Sequence, residues 1–198
     1  MNRKKTIVAL CLVALTTFFV FLPNINNDFL KCWDDHIYVV DNALIQNLTW
    51  SNLQSIFSTY TLGNYHPLTL LLYAVEYSCF QMEPSGYHVV SIVLHVINCL
   101  LVCWLIYLMS GSLGVALVTG LLFAIHPLRV ESVAWIADQK DLLCAFFFFI
   151  TLILYLLFRA KKSYWYYWLG LFTLVLSIFS KAVAITLPVL LVVVDYFK

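Results

Sequence analysis

Charge is scarce in this sequence. Asp, Glu, Lys and Arg make up 11% of its 198 residues, hydrophobic residues make up 63%, and the mean hydropathy is +0.92. A water-soluble domain is excluded by that balance. The formal net charge is +1 and no basic stripe exists, so a nucleic-acid partner is not expected. Several catalytic signatures are also missing. There is no Gly-x-Ser-x-Gly elbow, no His-Glu-x-x-His or Cys-x-x-Cys metal spacing, and no glycine-rich loop to cradle a nucleotide. No period of about 20 to 50 residues repeats, which excludes a solenoid. The six cysteines give no disulfide framework, because Cys11, Cys99, Cys103 and Cys144 fall inside apolar runs. Cys32 and Cys79 share one polar segment, where an oxidising compartment would let them pair and a reducing one would leave two thiols.

What remains is an all-α polytopic membrane protein with about six transmembrane helices and a folded, partly helical first external loop. Arg3, Lys4 and Lys5 precede the first apolar run, 6–22. Phe18-Phe-Val-Phe-Leu-Pro23 is bulky where a cleavage site needs small residues, so this run reads as an uncleaved anchor with its amino terminus inside. Arg159, Lys161 and Lys162 form the second basic cluster, and the positive-inside rule puts both clusters on the cytoplasmic face. Val89 to Ile125 carries no formal charge and would be about 55 Å long as one helix at ~1.5 Å per residue, too long for one crossing. Ser110-Gly-Ser112 is the turn, giving spans at 88–109 and 113–125. Further spans are expected at 142–158, 164–179 and 182–197, the fifth opening with the aromatic belt Tyr164-Trp-Tyr-Tyr-Trp168. The last two are short enough to be a kinked re-entrant pair. The chain stops at Tyr196-Phe197-Lys198, at a membrane boundary, which reads as the front part of a longer protein.

The first external loop, 23–86, holds Asp28, Asp34, Asp35, Asp41, Glu76 and Glu83 against Lys31. Leu53, Ile56 and Phe57 recur at helical spacing behind Ser51, the expected N-cap of a short amphipathic helix. Leu68 to Phe80 is apolar but too short to span, which suggests a re-entrant or juxtamembrane helix. The second external loop, 126–141, contains His126-Pro-Leu-Arg-Val-Glu-Ser-Val-Ala-Trp135. Pro127 should start a short interfacial helix with Glu131, Trp135 and Asp138 on one face. His88, His95 and Asn98 form one stripe of the second span, where interhelical hydrogen bonding is expected ahead of haem ligation.

The outer segments therefore gather Asp34, Asp35, His66, His126, Arg129, Glu131, Lys140 and Lys181 on one side of the membrane. Carboxylates for base work beside cations that neutralise a phosphate are what cleavage of a sugar–phosphate bond requires. A metal site on Asp34, Asp35 and Glu131 is a second possibility, although no cofactor is needed for the first.

Cys32-Trp-Asp-Asp35 with Tyr38 and Asn42, Asn64-Tyr-His-Pro-Leu-Thr69, Gly86-Tyr-His88 with His95 and Asn98, Phe123-Ala-Ile-His-Pro-Leu-Arg-Val-Glu-Ser-Val-Ala-Trp135, and Ser180-Lys181 with Leu187-Pro188 and Asp195-Tyr196 resemble the membrane half of the transmembrane and tetratricopeptide-repeat (TMTC-type) proteins and their bacterial relatives. The resemblance covers nearly the whole chain. It implies the amino-terminal part of a GT-C-like fold in the bacterial inner membrane or the endoplasmic reticulum. The implied activity is transfer of a sugar from a polyprenyl phosphate to a protein or glycan acceptor on the external face. Asp34 or Asp35 would occupy the first-loop acidic motif, with Asp34 the base and Asp35 its helper. Glu131 and His126 would occupy the second loop, and Lys181 would contact the phosphate. The rival expectation is a non-catalytic anchor for a repeat domain, whose outer polar residues would be a solvated rim. A transporter is disfavoured because the acidic pair lies in a loop.

Overall fold

The computed structural model describes residues 3–31 and 33–196. The Cys32–Cys79 pairing, and the ends of the chain at residues 1, 2, 197 and 198, lie outside the described residues. Among them there is no strand, only an isolated bridge between Thr61 and Asn64. The helices are α1 (Arg3–Phe21), α2 (Trp50–Ile56), α3 (Pro67–Phe80), α4 (Pro84–Ser110), α5 (Leu113–Ile125), α6 (Arg129–Ala134), α7 (Gln139–Lys161), α8 (Tyr164–Ser180) and α9 (Leu187–Tyr196), with tighter or wider helical turns between some of them.

Lys4–Asn26, Pro84–Ser110 and Ile136–Lys161 are long and apolar enough to cross a membrane, which makes this a membrane protein. The other apolar helices, α3, α5, α8 and the Ala182–Tyr196 stretch, are shorter. At ~1.5 Å per residue α5 is only about 20 Å long, less than the ~30 Å hydrocarbon core.

Central to the bundle is α4. Its buried face, His88, Ser91, Ile92, His95, Asn98, Cys99, Val102 and Cys103, recurs every three or four residues, as a helix enclosed by neighbours requires. Gly111, at φ 68°, ends α4 in the left-handed conformation, and the Ser112 hydroxyl accepts from Val115 N to start α5, so the expected turn forms. His95 Nε2 lies 3.1 Å from Ala124 O, and Asn98 donates to Leu142 O at 2.9 Å, the interhelical bonding expected of this stripe. Gly120 of α5 faces Cys103, close enough that a Cβ there would collide with the sulfur.

Pairings fix the helix directions. Ser177 Oγ donates to Cys144 O at 2.9 Å, Thr151 and Thr173 hydroxyls meet at 2.8 Å, and a Cβ on Gly170 would stand 3.7 Å from Leu154 Cβ, so α7 and α8 are antiparallel. Asn98 meets Leu142 while Leu105 packs with Leu152 and Leu156, so α4 and α7 are parallel. Thr6 and Leu10 share an apolar cleft of about 390 Å³ with Tyr107 and Leu113. The basic starts and ends, Lys4, Lys5 and Arg159 to Lys162, thus lie at one end of the bundle with the Gly111 turn. Arg159 and Tyr155 both reach Asp195 there and tie down α9. The acidic first loop and residues 126–141 occupy the opposite end.

That first loop has its own core: Tyr38, Val39, Ile45, Ile56, Leu70, Tyr73 and Ala74 pack with Tyr87, Ile136 and Ala137. Its α3 runs across the bundle end from α8, where Thr69 Oγ1 donates to Ser180 O at 2.9 Å, to α4, where Phe80 packs against Tyr87. Three local expectations need correction. Thr49, not Ser51, caps α2, because its hydroxyl accepts from Asn52 N at 3.2 Å. The interfacial helix begins at Arg129 and stops at Ala134, since Trp135 turns extended (φ −101°, ψ 117°), so Trp135 and Asp138 leave the Glu131 face. The last apolar stretch is not one α-helix: Ala182–Thr186 winds as a 3₁₀ turn before Leu187 opens α9.

Candidate functional site

The site lies where the first loop meets the residues that open α7. Asp35 is 1% exposed, and its carboxylate accepts from Leu30 N at 2.9 Å and from Ala137 N at 2.8 Å. Two backbone donors satisfy this buried carboxylate, which binds the first loop to the second. The adjacent Asp34 is different. Its side chain is 36% exposed, and Oδ2 lies 3.8 Å from Lys140 Nζ. Lys140 is only 12% exposed, with Nζ 5.0 Å above the Tyr38 ring and 5.6 Å from that of Trp135. Aromatic faces thus hold the ammonium in place of most of its water.

His66 precedes Pro67 and is buried at the start of α3. Burial first, then the charges of Lys140 and Lys181, hold its ring below the ordinary histidine range and favour the neutral imidazole. The bond from Thr69 to Ser180 O pins the end of α8, and Lys181 follows it. Lys181 pairs directly with Asp141 and lies 3.8 Å from Asp138. Asp34, Asp35, His66, Lys140 and Lys181 are therefore gathered around one junction.

His126, Arg129 and Glu131 sit at the same end but on the α5–α6 side. His126 is exposed, with Nδ1 accepting from Leu128 N at 3.3 Å. The Arg129 guanidinium lies 5.1 Å over the Phe123 ring. Both line an open cleft of about 290 Å³ with Phe123 and Leu128, which none of Asp34, His66, Lys140 and Lys181 enters. Glu131 is exposed, and its side chain has no partner among the described residues. Among those residues no three His, Cys, Asp or Glu side chains group as metal ligands, so Asp34, Asp35 and Glu131 form no carboxylate triad.

Several site residues carry no motif. Gln139 Nε2 lies 2.9 Å from each of Glu76 Oε1, Tyr87 O and Ser91 Oγ, all buried, joining α3, α4 and α7 at one amide. Tyr73 donates to Ile136 O at 2.9 Å. Together with Asp35, these bonds hold 135–140 in the conformation that presents Lys140. The available signals were a glutamate inside an apolar helix and the Asp138, Asp141 spacing at the start of an apolar run.

No family model matches the chain, and no solved structure matches it. Curated relatives do. The chain is 28% identical over 153 residues to Protein O-mannosyl-transferase Tmtc1 of Drosophila melanogaster, covering 70% of this chain and 17% of that protein. It is 28% identical over 167 residues to Protein O-mannosyl-transferase TMTC4 of Mus musculus, 72% of this chain and 22% of that protein. Against TMTC4 of Homo sapiens it is 31% identical over 159 residues, 68% of this chain and 21% of that protein. The chain thus spans about a fifth of the length of these relatives. By sequence it is a TMTC-related membrane protein.

Proposed function

We propose that this chain carries the acid–base and phosphate-binding face of a GT-C-type glycosyltransferase, which moves a sugar from a polyprenyl phosphate to a protein acceptor at the non-cytoplasmic surface. Six crossings are formed by α1, α4, α5, α7, α8 and the Ala182–Tyr196 stretch, with the amino terminus cytoplasmic, in the bacterial inner membrane or the endoplasmic reticulum. The observation that carries the reading is the half-open Asp34 carboxylate 3.8 Å from the caged ammonium of Lys140, at the bundle end opposite the basic clusters. The relatives, named protein O-mannosyl-transferases, support the reaction class and a mannosyl group.

Asp34 is the general base. It takes the proton of an acceptor hydroxyl as that oxygen forms a bond to the anomeric carbon. The bond from that carbon to the phosphate oxygen breaks, and its electron pair leaves with the lipid phosphate. Lys140 and Lys181 offset the charge gathering there, while neutral His66 offers a ring nitrogen for a hydrogen bond. Attack opposite the leaving group inverts the anomeric centre. Asp35 orients the loop that carries Asp34, and His126, Arg129 and Glu131 receive the acceptor from the α5–α6 side. A solvated rim around a passive anchor would not need Asp35 and Lys140 so deeply covered.

Asp34→Asn tests the assignment in the full-length protein. Transfer from a polyprenyl-phosphate sugar is expected to fall to background while membrane insertion is kept, and undiminished transfer would remove Asp34 from the mechanism.

A further inference from the structure

Two aromatic faces next to the charged junction are left open. Trp33 is 62% exposed and stands edge-on to Trp135, ring centroids 5.3 Å apart. Tyr60 is 68% exposed and leans on Tyr65 at 5.4 Å. In each pair the inner ring adjoins the site: Trp135 lies beside the Lys140 ammonium, and Tyr65 immediately precedes His66. Tyr65 also packs edge-on against Phe179 at 6.0 Å and donates its hydroxyl to Phe57 O at 2.9 Å. Between the pairs stands Tyr38, whose ring receives Lys140 and whose hydroxyl lies 3.5 Å from Thr61 O.

The Tyr60 side is built on strained backbone. Thr61 and Asn64 bond reciprocally across a two-residue turn, at 2.9 and 3.0 Å, in which Gly63 has φ 73° and Leu62 has φ 51°. Leucine rarely adopts that conformation, which persists only where the surroundings hold it. The turn fixes Tyr60 and Tyr65 on either side of itself. A large ring with its face uncovered favours a partner that is apolar over one face and polar at its rim.

We infer that Trp33 and Tyr60 are stacking faces for the pyranose ring handled at this site. The C–H face of a sugar lies on the aromatic ring, and its hydroxyls remain free to reach Asp34, Lys140 and His66. The inference rests on the sugar-transfer reading and adds to it the residues that hold the sugar, none of which is charged.

The test uses the purified full chain in nanodiscs, with mannose 1-phosphate and inorganic phosphate as probes and binding measured by calorimetry. Wild type is expected to bind mannose 1-phosphate about five- to tenfold more tightly than inorganic phosphate, the scale of one or two aromatic contacts. Trp33→Leu and Tyr60→Leu should erase that advantage and leave phosphate binding unchanged, whereas Trp33→Phe should keep most of it. If the variants retain the sugar advantage, or wild type has none while phosphate still binds, the stacking faces are refuted and the phosphate site stands. If neither probe binds, both the inference and the phosphate-binding role of the two lysines fall. Should Trp33→Leu lose only its quenching by brominated lipids, Trp33 is a membrane anchor and the inference fails for that residue.

Discussion

Asp35 and Ala137, separated by 102 positions in the chain, are joined by a 2.8 Å hydrogen bond from the Ala137 amide to a buried carboxylate oxygen. The same carboxylate holds Leu30 N. Neighbouring aspartates therefore do different work: Asp35 closes the junction and Asp34 faces the opening.

Asp35→Asn should separate the two roles. An amide presents a donor where the carboxylate presented an acceptor, so one backbone N–H loses its partner, at a cost of about 1–3 kcal/mol. Asp34→Asn, which loosens only a part-exposed pair, should cost about 0–1 kcal/mol. Thermal unfolding in detergent measures both, and amide exchange at Leu30 and Ala137 should quicken in the Asp35 variant alone.

Gln139→Leu should destabilise by about 2–3 kcal/mol or more. It strips hydrogen-bond partners from Glu76, Ser91 and Tyr87 O, all buried. Glu76→Gln keeps an oxygen to accept from Gln139 and should cost less. Equal unfolding midpoints for the two variants would show that the amide does not join α3, α4 and α7 as the geometry indicates.

Gly120→Ala should be destabilising by about 1–3 kcal/mol, because the new methyl group meets Cys103 Sγ. Cys103→Ala in the same chain removes the obstacle. A double-mutant cycle read by unfolding in mixed detergent should show the two costs to be strongly less than additive.

His66 sets a pH dependence. Burial lowers its affinity for a proton, Lys140 and Lys181 lower it further, and Asp141 and the Tyr65 backbone oppose them in part. The unfolded chain, with an ordinary value of about 6.5, takes up the proton first as pH falls. Stability is therefore fully present above about 6.5 and declines below it, until the folded ring titrates as well. His66→Gln should flatten this decline between pH 7 and 5, measured as the slope of the unfolding midpoint against pH. An unchanged slope would mean that other groups produce it.

Much of this architecture was legible in the residues. The uncharged run from Val89 to Ile125 required a turn, and Gly111 makes it in a conformation that glycine readily adopts. The stripe at His95 and Asn98 bonds between helices as its depth demanded. Asp34, Lys140 and Lys181 were legible as residues that belong near one another, and they meet at one end of the bundle. The order of contacts at that end was not, because it depends on loop packing that period and hydropathy do not encode. The break at Trp135 is one instance: helical spacing continues through Asp138, yet the chain turns extended so that Ala137 N meets Asp35. Gln139 was hidden for the opposite reason, since an amide beside charged residues reads as loop until three buried acceptors are seen around it. The Pro127 segment is the most specific stretch of sequence, and it stands on the other flank of α4.

The separation of the basic clusters from the acidic loops also has an electrical consequence. Lys4, Lys5 and the Arg159–Lys162 group sit at one extremity, while Asp34, Asp35, Asp138 and Asp141 sit at the other. A voltage across the bilayer acts on each such charge with about 2.3 kcal/mol per 100 mV for full passage. A membrane negative on the side of the lysines would therefore oppose inversion of the bundle, because both basic clusters would have to move to its positive side.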